Sequence, residues 1–463
     1  MQLSFTIKDK WKLCTIATIF CCLILIIFLN QSNKNVSFSN NMLPLAPLLE
    51  SQAPLSSIVA QLPRPSCPPP SATSVITKNL DPFNFTSIST TVEQQPNTTL
   101  LSQRDKLNVS VYNLKKPIIM KTNIAGQECD MFDGRWVYKP KEKPKYNSIK
   151  CPFIEEKMNC RKNGRPDFEY EKWRWEARDC KIPLFDGRDM LERLRNKRVI
   201  IVGDSLNRNM WESLSCLLYS SIHRSRVEVR AKFRDYKVLK AKDYNTTVEF
   251  HWSPFLVDFD TNHKSGKKVL VLDKLSSNSK LWQGADVMVF NSGHWWTHRG
   301  KFKAWDFFQY KGQLLEKMKI QLAYDRGMRT WEKWIKDNVD PKKTIVFFRS
   351  ISANHNVGKR WCYNSTQPIM DDSYQNPFPK LMVYIIERLI EGMSKSNVKY
   401  LNITKLSQYR NDAHPSVYGN GKWKIYTTKY KRFLPSNADC SHWCLPGLPD
   451  TWNRLLYASL FYI

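Results

Sequence analysis

The run Arg198-Val199-Ile200-Ile201-Val202 leads straight into Gly203-Asp204-Ser205, and beyond it Leu206, Met210, Leu214, Leu217 and Leu218 recur at helical spacing. A short apolar run ending on a turn signal reads as a buried strand, and the period that follows reads as a helix. Ser205 is thus predicted on a tight strand-to-helix turn. Glycine permits the bend, and the helix N-terminus offers backbone N–H groups to a developing negative charge. Further apolar runs at 269–272, 287–290, 344–348 and 398–403 alternate with helical candidates at 207–218, 315–336 and 379–393. That alternation predicts an α/β sheet wound with helices, with ligands at the C-terminal ends of its strands.

A serine hydroxyl is a weak nucleophile until a base takes its proton, and the base needs an orienting partner. Asp439-Cys440-Ser441-His442 supplies both groups within four residues. Ser205, His442 and Asp439 are therefore the candidate nucleophile, base and orienter, although a lone Gly-Asp-Ser is also an ordinary turn. After the run at 287–290 comes Asn291-Ser292-Gly293-His294-Trp295-Trp296. The Asn291 amide and the Gly293 N–H suit an oxyanion hole; the rival reading is an asparagine capping a turn. His294, His298, His355 and His414 are expected to be structural hydrogen-bonders. Of sixteen tryptophans most should pack the core, with Trp295 and Trp296 best placed to offer flat faces to sugar rings.

The organisation along the chain points to a secretory compartment. Residues 13–29 form a run of seventeen without charge or proline, preceded by Lys8, Lys10 and Lys12. At 1.5 Å per residue such a run reaches about 26 Å, enough for a thin bilayer. The lysines place the N-terminus in the cytosol. Residues 1–12 are then a cytosolic tail, 13–29 a transmembrane signal anchor, and the rest luminal, a cleaved signal peptide being the rival. Residues 30–125, rich in Ser, Thr, Asn and Pro, read as a flexible stem. A cysteine-studded lobe at 126–180 and a larger domain at 181–463 follow. Sequons open at Asn35, Asn84, Asn97 and Asn108 in the stem and at Asn245, Asn364 and Asn402 beyond it.

Cys14, Cys21 and Cys22 lie in or beside the anchor and Cys67 in the stem. Cys129, Cys151, Cys160, Cys180, Cys216, Cys362, Cys440 and Cys444 remain, an even set suited to four disulfides. Zinc is the competing use, but no Cys-X2-Cys knuckle pairs with spaced histidines, so no metal is expected. The net charge of +29 would suit nucleic acid in a nuclear protein. In a lumen, and with no nucleic-acid motif, acidic polysaccharide or a membrane surface is the anionic partner instead. A merely solvated basic surface is as good a reading of any single run, such as Lys139-Pro140-Lys141-Glu142-Lys143-Pro144-Lys145.

With these residues in view, the chain resembles the plant trichome-birefringence-like (PMR5/DUF231-type) family of polysaccharide O-acetyltransferases, related to GDSL/SGNH esterases. The resemblance covers nearly all of 126–463. Its motifs are Asn163-Gly164-Arg165 and Trp173-Arg174-Trp175 in the lobe, Val202-Gly203-Asp204-Ser205-Leu206-Asn207-Arg208-Asn209, and Asp439-Cys440-Ser441-His442-Trp443-Cys444 running on to Asp450-Thr451-Trp452-Asn453. It implies an SGNH/GDSL-esterase-like three-layer α/β domain with a Ser205–His442–Asp439 triad, and Asn291 as the oxyanion asparagine. It implies disulfides Cys129–Cys180 and Cys151–Cys216, with Cys160, Cys362, Cys440 and Cys444 pairing among themselves. A single-pass type II Golgi protein follows, moving acetyl from a donor of unspecified identity onto xylan, mannan, xyloglucan or pectin, with no bound cofactor. Three rivals stand beside it: an acetylesterase using the same triad, a non-enzymatic binder of wall polysaccharide, and, last, a glycosyltransferase, which only the type II layout suggests.

Overall fold

Val199, Ile200, Ile201 and Val202 are all wholly buried, and the strand's pleat sends alternate side chains into two different cores. The computed structural model describes residues 122–124, 127–232, 235–356, 361–375, 379–419 and 438–462, all within the second of the chain's two units, Thr98–Ile463. The expected tail and anchor, most of the stem and its four sequons lie outside the described residues. Among the described residues no helix is long and apolar enough to cross a membrane.

Two antiparallel strand pairs come first: β1 (Thr122–Ile124) with β2 (Gln127–Cys129), and β3 (Gly134–Tyr138) with β4 (Trp173–Ala177). Helix α1 (Gly187–Arg193) precedes β5 (Arg198–Gly203), which runs into α2 (Ser205–Tyr219). The strands β6 (Val227–Lys232), β7 (Tyr236–Ala241) and β8 (Thr246–Trp252) form an antiparallel meander. Then come β9 (Val257–Asp260), β10 (Val269–Leu275), β11 (Val287–Phe290), β12 (Phe307–Tyr310) and β13 (Gln313–Leu315). Helix α3 (Ile320–Asn338), β14 (Ile345–Arg349), α4 (Lys380–Glu391), β15 (Val398–Leu401), α5 (Thr404–Gln408) and α6 (Leu448–Phe461) complete the described strands and α-helices, with short 3-10 turns between them.

Seven strands form the central sheet in the order β15-β14-β11-β5-β8-β7-β6. The first five are mutually parallel; β7 runs antiparallel to them, and β6, antiparallel to β7, returns to their direction. Parallel strands buried on both faces read as continuous apolar runs, which is why β5, β11 and β14 were legible. Val199 and Ile201 face a layer of α2 and α6 carrying Trp211, Trp452 and Leu455. Ile200 and Val202 face Met328 and Trp331 of α3 and Met382 and Ile386 of α4. The sheet is thus the middle of three layers. Register brings Val202 opposite Phe290 and Gly203 opposite Trp252, so β5, β8 and β11 end together.

One expected strand lies elsewhere. The run at 269–272 belongs to β10, which pairs with β9 and β12 in a second, four-stranded sheet ordered β13-β12-β10-β9. Its apolar residues close on the α3 layer rather than joining the central sheet. The helix expected from residue 315 starts at Ile320, because Gln313–Leu315 completes β13. In the cysteine-rich segment, Trp136 and Trp175 sit opposite each other across the β3–β4 pair and share one core with α2 and α6. Four disulfides pair Cys129 with Cys180, Cys151 with Cys216, Cys160 with Cys444 and Cys362 with Cys440.

Candidate active site

At the end of β5 the chain passes beneath Asn291 with almost no clearance. Gly203 has φ +152°, and a Cβ there would stand 1.9 Å from Asn291 Oδ1 and 2.7 Å from its carbonyl oxygen. Asp204 then caps α2, its Oδ1 accepting the Leu206 N–H at 2.9 Å. The two loops are cross-linked: Asp204 N–H donates to Asn291 Oδ1 at 3.2 Å, and Asn291 Nδ2 donates back to Asp204 Oδ1 at 2.9 Å. Ser205 is the first helical residue, so its backbone N–H lies in the turn that lacks intrahelical acceptors. One turn is bolted down further by Asn207, whose Nδ2 donates to the carbonyls of Val202 (2.8 Å) and Val289 (3.2 Å). The buried guanidinium of Arg349, at the end of β14, donates through Nε to Asn207 Oδ1 at 2.7 Å.

Ser205 Oγ lies 2.8 Å from His442 Nε2, and His442 Nδ1 lies 2.8 Å from Asp439 Oδ2. Asp439 Oδ1 accepts the backbone N–H groups of Ser441 (3.1 Å) and His442 (3.0 Å), so the same carboxylate folds the loop and meets the ring. Burial works against its charge, but the His442 ring and these hydrogen bonds together hold the carboxyl far below the usual carboxylate range. The His442 nitrogen facing Asp439 carries the proton, leaving Nε2 free to accept one from Ser205. Such a chain can activate a hydroxyl for attack on an acyl carbon.

The loop holding His442 is fixed from several sides. Asn209, one turn beyond Ser205, takes the Trp443 N–H on Oδ1 at 2.9 Å and donates Nδ2 to the Trp443 carbonyl at 3.2 Å. Cys440 and Cys444, flanking His442, are tied to Cys362 and Cys160. Asp439 also makes a two-way backbone bridge with Ser416 at 2.9 Å. From the lobe, Arg165 reaches the carbonyls of His414 (2.9 Å) and Asp412 (2.7 Å). Asn207 and Asn209 stand in the family motif without an assigned role, and Arg349 was not singled out from sequence. The signal available for the two asparagines was their place in that motif; the structure shows why they matter, since the helix that carries them is buried from Ser205 to Leu218.

Other expected site residues fall as follows. Asn291 is 4% exposed, and with Nδ2 already donating to Asp204 its second amide hydrogen is the one left for a ligand. Gly293 has φ +152° and opens the turn His294–Thr297. Trp296 is 1% exposed and donates its indole N–H to Ser292 Oγ at 2.8 Å, so it packs the core and has no face for a sugar. Trp295 is half-buried and meets Trp252 edge-on, centroids 5.4 Å apart. His294 stacks edge-on with His298, and burial pushes it down to about 4. Of the described sequons, Asn245 and Asn364 are exposed and Asn402 is half-buried. Among the described residues no cluster of ligating side chains could hold a metal ion.

A serine at the tip of a parallel strand, a histidine and aspartate from a C-terminal loop, and a second asparagine-bearing loop define a GDSL-type acyl-transfer or acyl-hydrolysis scaffold. Residues 182–459 match the family described as PC-Esterase, a GDSL/SGNH-like acyl-esterase family found in Pmr5 and Cas1p, and residues 127–181 match the PMR5 N-terminal domain. The chain belongs to this family. It is 41% identical over 366 residues to Protein trichome birefringence of Arabidopsis thaliana, covering 76% of this chain and 59% of that protein. Protein trichome birefringence-like 40 of the same plant is 40% identical over 343 residues, 73% of this chain and 89% of that one. Probable xylan O-acetyltransferase 10 of Oryza sativa subsp. japonica is 39% identical over 350 residues, 73% and 79% of the two chains. The chain spans less than two thirds of Protein trichome birefringence and of its relative trichome birefringence-like 1, at 59% and 64%.

Proposed function

We propose that this chain is an O-acetyltransferase that acetylates a plant cell-wall polysaccharide, xylan or another hemicellulose or pectin, through an acetyl-Ser205 intermediate. The observation that carries the proposal is the continuous contact from Ser205 Oγ through His442 to Asp439, 2.8 Å at each step, at the C-terminal edge of the parallel sheet. Likeness to a probable xylan O-acetyltransferase supports the acceptor class. In the first half, Ser205 Oγ attacks the donor's acetyl carbon while His442 Nε2 takes its proton. The Ser205 N–H and the free Asn291 amide hydrogen face the oxyanion. The tetrahedral adduct collapses, the donor's leaving group departs with the proton from His442, and acetyl-Ser205 remains. In the second half a sugar hydroxyl yields its proton to His442 and attacks the acetyl carbon. Collapse returns the electron pair to Ser205 Oγ, which recovers its proton. The sugar must outcompete water, and good positioning supplies effective molarities on the order of 10⁵ M.

The same reading places the chain in the Golgi membrane through residues 13–29, with the catalytic domain luminal. The apolar run, the sequons and four disulfides support it. The acyl-esterase kinship of the family favours one second reading, an acetylesterase in which water takes the acetyl group. The test incubates the full-length chain with an acetyl ester donor and deacetylated xylan, mannan, xyloglucan and pectin oligosaccharides, reading the mass gain of one acetyl group with Ser205→Ala as control. Ser205-dependent gain on a glycan is expected. Acetyl loss from acetylated oligosaccharides without any gain would move the chain to the esterases.

A further inference from the structure

Behind the Ser205–His442–Asp439 contacts, two more histidines bury their rings against each other, each 1% exposed. His355 Nδ1 lies 2.7 Å from His414 Nε2. His355 Nε2 lies 2.8 Å from the carbonyl oxygen of Gln408, at the end of α5, and His414 Nδ1 lies 2.6 Å from the carbonyl oxygen of His442. All four ring nitrogens are engaged. Both outer contacts end on carbonyl oxygens, which only accept, so each requires an N–H; the inner nitrogen–nitrogen contact requires one more. Three protons are needed, and two neutral imidazoles carry two.

We infer that His355 and His414 share a third proton, and that this imidazole–imidazolium pair is a positioning device for His442, linking its backbone to α5 only while that proton is present. The inference rests on the reading of His442 as the base. The links stand in series: without the third proton one of the three contacts sets lone pair against lone pair, and a break at any of them uncouples His442 from α5.

The surroundings pull in both directions, as a titratable device requires. Burial opposes the charge, drawing His355 down to about 4 and His414 well below its ordinary value. The Asp439 carboxylate favours the proton on His414, and that of Asp412, itself paired with Arg410 at 2.9 Å, favours it on His355. The Trp443 ring, stacked on His414 with centroids 3.8 Å apart and planes at 22°, presents a π face to the cation and is anchored through its N–H to Ser352 Oγ at 3.0 Å. Arg165, on the His414 carbonyl, and His442 when protonated both repel it. Raising the pH therefore strips the proton and slackens His442, which gives the rate an alkaline limb that neither Ser205 nor Asp439 supplies.

Two measurements on the full-length chain test this. The first uses ¹⁵N-histidine labelling of the Ser205→Ala protein, following the imidazole nitrogens of His355 and His414 against pH, with each assigned by its own substitution. Three N–H groups at the acid end and loss of one in a single step are expected. Two throughout, or three at every pH at which the chain stays folded, would overturn the inference. The second measures transfer from p-nitrophenyl acetate to xylo-oligosaccharide by the parent and by His355→Ala. In that variant a neutral His414 can always keep its one proton on Nδ1 for the His442 carbonyl. A fall in kcat of about fivefold at the parent's optimum, the worth of one neutral hydrogen bond, is expected with acceptor KM unchanged. The alkaline limb, coincident in the parent with the NMR step, should vanish. A uniform fall with the limb retained would make His355 merely structural. The NMR readout needs no turnover, so it stands whether or not Ser205 proves to be the nucleophile.

Discussion

What stands opposite Gly203 sets its identity: the contact at 2.7 Å is with a backbone oxygen of Asn291, which cannot swing aside as a side chain can. Gly203→Ala should cost about 2–3 kcal/mol in a urea melt, through overpacking and a strained φ, and should push apart the two loops that frame Ser205. Two carboxylates carry opposite pH signatures. Asp439 is held below the ordinary carboxylate value, so the stability it contributes is present above that value and is lost as pH falls through its lowered folded one. Asp439→Asn should flatten the acid side of the stability profile and cut turnover by about 10³–10⁴-fold, because the orienting acceptor becomes an amide. Glu212, wholly buried on α2, is pushed up to about 7 by burial, with Lys237 Nζ 3.5 Å away offsetting only part of the cost. The folded chain therefore loses stability as pH climbs from the ordinary carboxylate range to about 7. Glu212→Gln should remove that slope and gain on the order of 2 kcal/mol above it, read as unfolding midpoints at two pH values.

Between elements, the site depends on how α2 is joined to the loop before α6. Cys362–Cys440 and Cys160–Cys444 grip that loop on either side of His442, whereas Cys151–Cys216 ties the lobe to the far end of α2. Removing any one should cost about 2–5 kcal/mol. Removing Cys362–Cys440 should also lower kcat in protein that is still fully folded, while removing Cys151–Cys216 should leave folded-state kcat near that of the parent. Equal kcat in both double-serine variants would deny the loop disulfides any positioning role. The same joint explains what was legible in sequence. Ser205 and the Asp439–His442 spacing are local signals, readable within a few residues. Asn209 acts on Trp443 from 234 positions away, and Arg165 acts on His414 from 249, distances at which one sequence carries no pairing signal. The strands β5, β11 and β14 announced themselves because both faces are buried. Strands β6 and β7 did not, because the edge strand Val227–Lys232 and its neighbour Tyr236–Ala241 both mix basic with apolar residues. Helix α6 was missed because its apolar period begins only after the Cys-Leu-Pro-Gly-Leu-Pro string that reads as loop.

For the whole molecule, 71 lysines and arginines against 42 aspartates and glutamates leave +29, and this excess has a consequence separable from the chemistry at Ser205. A field of one sign raises the local concentration of an oppositely charged ligand and is screened by salt, the Debye length falling to about 8 Å near physiological ionic strength. The contacts among Ser205, His442 and Asp439 are short and largely shielded from solvent ions, so salt should act on encounter rather than on the chemical step. For a uronate-bearing oligosaccharide, KM should rise several-fold as salt is raised from low to physiological strength while kcat stays constant. For a neutral oligosaccharide of the same length both constants should stay flat. A difference between the two acceptors would assign the charge to recognition of an acidic wall polysaccharide. Flat behaviour for both would leave the basic surface as a solvated one and remove charge from the grounds for choosing among xylan, pectin and neutral glycans. A salt-dependent kcat would mean that the loop carrying His442 responds to ionic strength, against a loop pinned by two disulfides and Asn209.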